Sequence, residues 1–396
     1  MDVLYHHRTR GKGAEGAHIK GIVTAFRKLG HNVTLSSIHN IDPTKPENTN
    51  SATSPSSNKS IKYKILELTK FMPEFVFEIL EVLYNCIALR QIKNEIKTKR
   101  PTFIYERYSL FMFATVWYAK KHHIPMVLEV NDSALVERVR HLLFKKLACK
   151  IEQWIFQNVT GLVFISGYFQ ELAAKNYPNI APSVISPNAA DTDVFNPDKY
   201  NSADAKANFG LEGKTVCGFA GAFHHWHGID WFVEEVIDEL KNHPTLVLFL
   251  VGDGPRHQYI AELAKANNLT KQIIMSGRID HHEIPMAIAA MDFGIIPDSN
   301  DYGSPMKLFE FMAMGKGMVV PDFTPITEVV TDNRNSWLFE RKNKQDCVKR
   351  FLEVALNPEQ FKKVGQNAIE YIENHRQWRH NVEQIIKLVD STSSTG

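Results

Sequence analysis

Short apolar runs alternate with longer stretches of helical periodicity along most of the chain. Val3-Leu4-Tyr5 is followed by a glycine-bearing loop, Arg10-Gly11-Lys12-Gly13-Ala14-Glu15-Gly16. Helical spacing then runs to about Leu29, and Gly30-His31-Asn32 turns into Val33-Thr34-Leu35. Apolar runs this short, without strict alternation and separated by helical stretches, predict strands of parallel sheets covered by helices on both faces. The same reading predicts strands at 103–105, 125–130, 161–166 and 183–185 and a helix over 110–122. Residues 40–60 hold almost nothing apolar and predict a surface excursion. Residues 61–99 return to helical spacing, broken at Pro73.

The alternation pauses at 187–197, where turn formers cluster, and through a Ser/Asp/Asn stretch to Gly210. It restarts with strand 215–221, helix 228–240, strand 246–251 and the turn Gly252-Asp253-Gly254-Pro255. Strand 273–275, a helix ending near Ala290, strand 293–296, a helix-then-strand segment over 304–320 and helices from 343 onward complete the chain. A chain of 396 residues exceeds what one core usually organises. The pattern therefore predicts an α/β protein of two Rossmann-like domains facing a cleft: residues 1–190, a linker over 191–212, residues 213–375, and a C-terminal helix over 376–396 packing back toward the first domain.

Composition removes several function classes. The 46 basic and 44 acidic residues leave a formal charge of +2, which makes no general polyanion-binding field, so nucleic acid is not expected as a partner. Cys86, Cys149, Cys217 and Cys347 show neither metal-ligand spacing nor a disulfide framework and are expected to be buried free thiols. With no apolar run long enough to cross a bilayer and no leader-like start, a cytoplasmic location is expected. Neither glycine loop has the Gly-x-Gly-x-x-Gly spacing with an acidic residue about 20 positions on, which argues against a dehydrogenase.

The chemistry concentrates in Gly303-Ser304-Pro305-Met306-Lys307-Leu308-Phe309-Glu310, which reads as a small-residue loop opening a helix. Backbone N–H groups and the Lys307 ammonium at a helix start suit a diphosphate, and Glu310, one turn on, can accept the two vicinal hydroxyls of a ribose. An exposed Lys307–Glu310 ion pair on a surface helix is the alternative. His224, His225 and His227 cluster in the loop after strand 215–221, without ligand groups at metal spacing.

The string Ser304-Pro305-x-Lys307-Leu308-Phe309-Glu310-Phe311-Met312-Ala313-Met314-Gly315, with Pro187-Asn188-x-x-Asp191 upstream, resembles the donor half of the family-4 glycosyltransferases. The resemblance runs over nearly the whole chain. It implies a GT-B fold, a nucleoside-diphosphate sugar held by the C-terminal domain, and an acceptor held mainly by the N-terminal domain. That acceptor is a glycan, a lipid-linked saccharide or a small molecule, and transfer is with retention and without a required metal or other cofactor. Carried over, the second Glu of the family's Glu-x7-Glu signature is Glu310, whereas the first is Tyr302, beside Asp301. In the family's Gly-Arg-x4-Lys-Gly loop, Gly221 and Gly228 are kept while Ala222 and His227 replace the two cations, so Lys307 becomes the principal fixed charge. Gly252, Asp253 and Gly254 match the next glycine turn, and Gly277-Arg278-Ile279 the loop whose backbone reads the base. Ser304, Pro305, Met306 and Leu308 complete the expected donor contacts. An epimerase or phosphorylase of the same fold, or a non-catalytic sugar-nucleotide binder, are the alternatives.

In the first half, the loop from Arg8 to Gly16 resembles the family's glycine-rich loop, with Gly13 and Gly16 allowing close backbone approach and Glu15 opening the helix. Glu129, Asn131 and Asp132 stand at the end of a buried strand, where open parallel sheets carry ligands. Asn131 and Asp132 fall where many family members have a His, and Arg107 is the candidate for an anionic acceptor group. Lys307 and Asn131 are the residues carried nearest the reaction. Residues 61–100 hold eight Lys or Arg against five Glu, with Phe71, Phe75, Phe77, Leu80, Leu83 and Ile87 on an apolar face. That stretch either packs on the N-terminal sheet or lies on an anionic membrane at its inner face, near a lipid-linked acceptor; the packed arrangement is the one expected.

Overall fold

The computed structural model describes residues 1–9, 11, 13–37, 42–45, 74–137 and 142–393; the expected excursion apart from residues 42–45, and residues 61–73 with Phe71, lie outside the described residues. Two compact units divide the chain. The first holds Met1–Ile165, Phe169–Ser186 and the chain from Val382, and the second holds Pro187–Asn381 with Ser166–Tyr168.

In the first unit six parallel strands, β1 (Asp2–His7), β2 (Asn32–Ser37), β3 (Phe103–Arg107), β4 (Met126–Val130), β5 (Gly161–Phe164) and β6 (Ser183–Ile185), lie in the order β2-β1-β3-β4-β5-β6. Tyr5 pairs with Leu35 on one side and Tyr105 on the other. Every residue of β3 and β4 is buried, as expected of strands covered on both faces. The strand order reverses at β1, so the loops after β1 and β3 border the unit's topological switch point, where such sheets bind ligands.

The second unit repeats the plan with β7 (Thr215–Ala220), β8 (Leu246–Val251), β9 (Ile273–Gly277), β10 (Phe293–Ile295), β11 (Met318–Pro321) and β12 (Trp337–Phe339), ordered β12-β11-β10-β7-β8-β9. Renumbered from β7 this is the 3-2-1-4-5-6 order of dinucleotide-binding sheets, with the reversal between β7 and β10. β12 escaped sequence reading because three residues carry no measurable period. The expected helix over 228–240 is two helices, Ile229–Glu235 and Ile237–Asn242, broken at the fully buried Val236. The stretch 191–212 carries structure of its own: Asn201 caps a helix over Ser202–Asn208, Lys206 pairs with Asp292 at 2.8 Å, and Phe195, Ala205 and Leu211 are buried in this unit's core.

All four cysteines are free; Cys217 and Cys347 are buried as expected, but Cys86 is exposed, because the face of the helix Glu74–Lys99 that carries it points outward. Among the described residues no helix is long and apolar enough to cross a membrane.

One buried carboxylate organises the loop after β4. Glu152, on the helix Lys145–Asn158, accepts from Tyr108 Oη (2.5 Å), Ser133 Oγ (2.6 Å), the Ala134 N–H (2.8 Å) and Tyr177 Oη (2.9 Å). Burial pushes its carboxyl above the usual range, while these donors pull it back. Glu152→Ala strands four buried donors at once, and we expect it to lower unfolding stability by roughly 3 kcal/mol, read as a lower urea midpoint at unchanged slope.

Candidate functional site

At the C-terminal edge of the second sheet, three loops are pressed together. The Gly221 N–H donates to the Val251 carbonyl (2.9 Å), the Gly252 N–H to the Gly277 carbonyl (3.0 Å), and the Phe223 N–H to the Asp253 carbonyl (3.0 Å). Gly221 and Gly252 hold φ of 142° and 136°, and a Cβ on Gly252 would stand 2.0 Å from the Gly221 carbonyl oxygen, so neither position admits a side chain. The other expected donor-loop residues lie along the same edge. Asp253 and Arg278 are exposed, Asp253 accepts from the Gly254 N–H at 2.7 Å, and Ile279 packs against the core.

The helix Met306–Ala313 starts beside this edge. It is cut by Pro305 at its N-cap and stopped after Met314 by Gly315 at φ 69°. Leu308 points into the core and donates its N–H to the Pro305 carbonyl. Ser304 is turned inward: its Oγ accepts from the Asn188 N–H (3.0 Å) and its carbonyl from Asn188 Nδ2 (2.6 Å). The Pro-Asn segment upstream thus pins the loop that delivers Met306 and Lys307. Asp301, the neighbour of Tyr302, is paired with Arg341.

Lys307 makes no surface ion pair, contrary to the alternative drawn from sequence. Its Nζ is covered, has no hydrogen-bond partner, and lies 3.9 Å over the ring of Phe219. A Cβ on Gly221 would stand 2.9 Å from it. Burial pushes the ammonium down to about 7, with Glu310 opposing, and pushes the Glu310 carboxyl up to about 7, with Lys307 opposing. The ring face compensates only in part for lost water, since a cation over an aromatic gains about 1–2 kcal/mol. The result is an ammonium poised for an anion.

The histidine loop is a 3₁₀ turn, His225–His227, and the next helix begins only after Gly228 at φ 68°. His227, half-buried, has its ring centroid 6.3 Å from that of Phe219; burial first, then the charges of Lys307 and His224, push it down to about 3, so it is neutral near pH 7. His224 stacks on Trp226 at 4.1 Å and 9°, and Trp226 is 48% exposed. His225 turns away to Asp230, which Arg256 also holds. Ala222 is exposed and offers no charge.

In the first unit the expected acceptor-side residues form a closed network. Glu129 accepts from His18 Nε2 (2.7 Å), from Tyr105 Oη (2.9 Å) and from Arg107. Arg107 is buried and committed to this pair, and with the Asn131 amide oxygen turned toward it that oxygen accepts from its Nη2 at 2.6 Å. Burial alone would raise the Glu129 carboxyl, but the charges of His18 and Arg107 hold it down at about 2. A second buried pair, His6 with Glu106 at 2.5 Å, stands at the ends of β1 and β3. Asp132 accepts from the Ser133 N–H. Glu15 and Gly13 are exposed, while Gly16 packs against the Gly11 carbonyl. His18, Tyr105, Phe219 and Asn188's grip on Ser304 were not read from sequence, because partners 24 to 116 residues apart leave no local signal.

The family model for Glycosyltransferase Family 4 matches residues 16–194, and that for Glycosyl transferases group 1 matches residues 214–357. The chain belongs to the glycosyltransferases that pair these two domains, with the GT-B fold. An uncharacterized glycosyltransferase of Methanocaldococcus jannaschii is 22% identical over 76% of this chain and 76% of its own. A second from that organism is 26% identical over 60% of this chain and 61% of its own. The alpha-D-kanosaminyltransferase of Streptomyces kanamyceticus is 18% identical over 62% of this chain and 65% of its own. The chain thus spans about three-fifths to three-quarters of the length of these relatives. A solved glycosyltransferase from Rickettsia africae superposes with TM-score 0.73 at 14% identity, covering 100% of this chain and 99% of its own. HepE of Anabaena, solved in complex with UDP, does so with TM-score 0.70 at 15% identity, covering 99% and 100%.

Because Glu129 is held at about 2 against an ordinary 4.5, it stabilises the fold above pH 4.5 and that contribution is lost as pH falls toward 2. The melting temperature of the wild type should fall more steeply across that window than that of Glu129→Gln, measured by circular dichroism; equal slopes would remove Glu129 from the account.

Proposed function

We propose that the protein is a retaining glycosyltransferase that holds a nucleoside-diphosphate sugar on its second unit and passes the sugar to a hydroxyl of a glycan, a lipid-linked saccharide or a small molecule. The observation that carries the reading is the buried, unpartnered Lys307 ammonium at the start of the Met306–Ala313 helix, beside the Gly221 loop. A diphosphate supplies the missing anion, and helix N–H groups add to its binding. That HepE of Anabaena is solved with UDP and with UDP-glucose supports a nucleotide sugar as the donor. The naming of relatives as kanosaminyl- and glucosyltransferases supports a sugar as the transferred group.

In this scheme Lys307 balances the charge of the leaving diphosphate and neutral His227 donates a hydrogen bond to it. Glu310 accepts the ribose hydroxyls, and the Gly252–Gly254 and Gly277–Ile279 loops seat the rest of the nucleotide by backbone. The bond from the anomeric carbon to the diphosphate oxygen breaks and a bond to the acceptor oxygen forms on the same face. The acceptor's proton leaves with the diphosphate, so no strong protein base is needed, and Asn131 orients a sugar hydroxyl rather than taking a proton. No metal is required, because Lys307 supplies the charge.

Diphosphate binding favours the charged form of Lys307, whose free value is about 7. Affinity for UDP, used as the probe, should therefore weaken as pH rises above about 7, with proton uptake on that alkaline side visible by calorimetry in two buffers, while the Glu310 carboxyl, pushed up to about 7, and the UDP phosphate shape the acid side. Lys307→Met should weaken UDP by roughly tenfold or more at pH 7 and abolish the alkaline slope. Glu310→Ala should also weaken nucleoside diphosphates and suppress turnover of nucleotide sugars. Unchanged binding and turnover in both variants would overturn the site, and binding without turnover of any nucleotide sugar, with or without acceptor, would leave a binding protein rather than a transferase.

A further inference from the structure

The helix Glu74–Lys99 packs on β1, β2 and the helix Ala114–Lys121, as expected from its sequence, yet its widest apolar stripe faces solvent. Phe75, Ile79, Leu83 and Ile87, four residues apart in turn, are 43%, 44%, 56% and 54% exposed. The buried side is narrower, with Tyr84, Ala88 and Ile92. Polar clamps fix this orientation. Asn85 Nδ2 donates to the Phe111 carbonyl (2.7 Å), Asn85 Oδ1 accepts from the N–H groups of Phe113 (2.9 Å) and Ala114 (2.8 Å), and Gln91 donates to the Ser37 carbonyl (2.8 Å). Rolling the stripe inward would break all four bonds, so its exposure is built in.

A second apolar cluster is joined to the first. The Glu78 carboxylate accepts from the N–H groups of Leu143 (2.7 Å) and Phe144 (2.8 Å), which brings the exposed Leu143, Phe144 and Leu147 alongside Phe75 and Ile79. The helix Ala114–Lys121 packs between the other two, and a shallow groove of about 430 Å³ there is lined by Phe113, Trp117, Lys150, Ile151 and Trp154. Isolated exposed apolar residues are ordinary, but a joined surface of this many is not.

On two of the three helices the exposed charge has one sign, while the helix Glu74–Lys99 carries Glu81, paired with Arg8, and Glu95 among its basic residues. The helices Ala114–Lys121 and Lys145–Asn158 carry Lys120, Lys121, Lys145, Lys146 and Lys150, and their only carboxylate, Glu152, is buried and consumed by its four donors. Lys121 lies 5.1 Å over the ring of Trp117, an amphipathic pair of the kind that sits at a lipid boundary. We propose that these three helices dock the first unit on an anionic lipid surface, with the leucines and aromatics entering the headgroup boundary and the lysines meeting the lipid phosphates. A second copy of the chain fits less well, because a two-fold contact would bring the lysines against themselves. The surface lies on rather than spans the bilayer, in keeping with the absence of a spanning helix among the described residues.

The test is cosedimentation of the full chain with vesicles of phosphatidylcholine alone and of phosphatidylcholine with phosphatidylglycerol, at low and high salt, with light scattering of the free protein. Binding to the anionic vesicles, weakened by salt and near absent on neutral ones, is expected. Phe144→Ser/Leu147→Ser and Lys145→Glu/Lys146→Glu should each weaken it by about tenfold with unchanged melting temperature. These readouts do not depend on any transferase activity. No binding, or equal binding to both vesicle types, overturns the proposal. So does a dimer that the serine variant splits, which would make a second copy the occupant, or hydrogen-exchange protection of the stripe in the free monomer, which would mean the chain covers its own face.

Discussion

A single desolvated ammonium governs the second unit. Lys307 Nζ is placed where Phe219, the strand residue beneath it, offers only a ring face, and where Gly221 leaves just enough room for it. Keeping a cation there costs several kcal/mol relative to water unless a counter-charge arrives, and Glu310, itself pushed up by burial, compensates weakly. The surrounding backbone is shaped around that point: glycines at positive φ let three loops touch, Pro305 starts the helix, and Asn188 fastens Ser304 from behind. The reversal of strand order between β7 and β10 explains why the opening exists at all, since adjacent loops there leave in opposite directions.

The first unit treats its buried charges in the opposite way. Glu129 receives His18, Tyr105 and Arg107 together, and Arg107 in turn serves Asn131, so every strong partner is spent internally. Such a network is rigid and holds β3, β4 and the first helix in fixed relation. It leaves no free guanidinium at this strand edge, while Glu15 stays exposed. An unpartnered cation in one unit and a saturated carboxylate in the other are two different uses of burial on the same doubly wound plan.

Identity of about 14–15% to solved neighbours with nearly complete coverage shows what selects this architecture. The order of buried apolar strands and amphipathic helices, with glycine turns at strand ends, survives when most side chains differ. The departures at Ala222, His227 and Tyr302 fall in loops on that scaffold, where chemistry can change without disturbing the sheets.

The α/β class, eleven of the twelve strands among the described residues and the glycine turns were legible in the chain, because strand burial, helix period and the need for positive φ are local properties that a run of residues carries with it. Lys307 and Glu310 were legible as a pair for the same reason, since i and i+3 on a helix share a face. Tertiary structure alone decided that the Lys307 ammonium is covered and unpartnered rather than in an exposed ion pair, that Arg107 is consumed by Glu129, and that the helix from Glu74 to Lys99 turns its leucines outward. Each of those outcomes depends on partners far along the chain, such as Phe219 under Lys307 or Phe111 and Ala114 against Asn85. A side chain's environment is set by whatever the fold brings against it, and local sequence does not contain that.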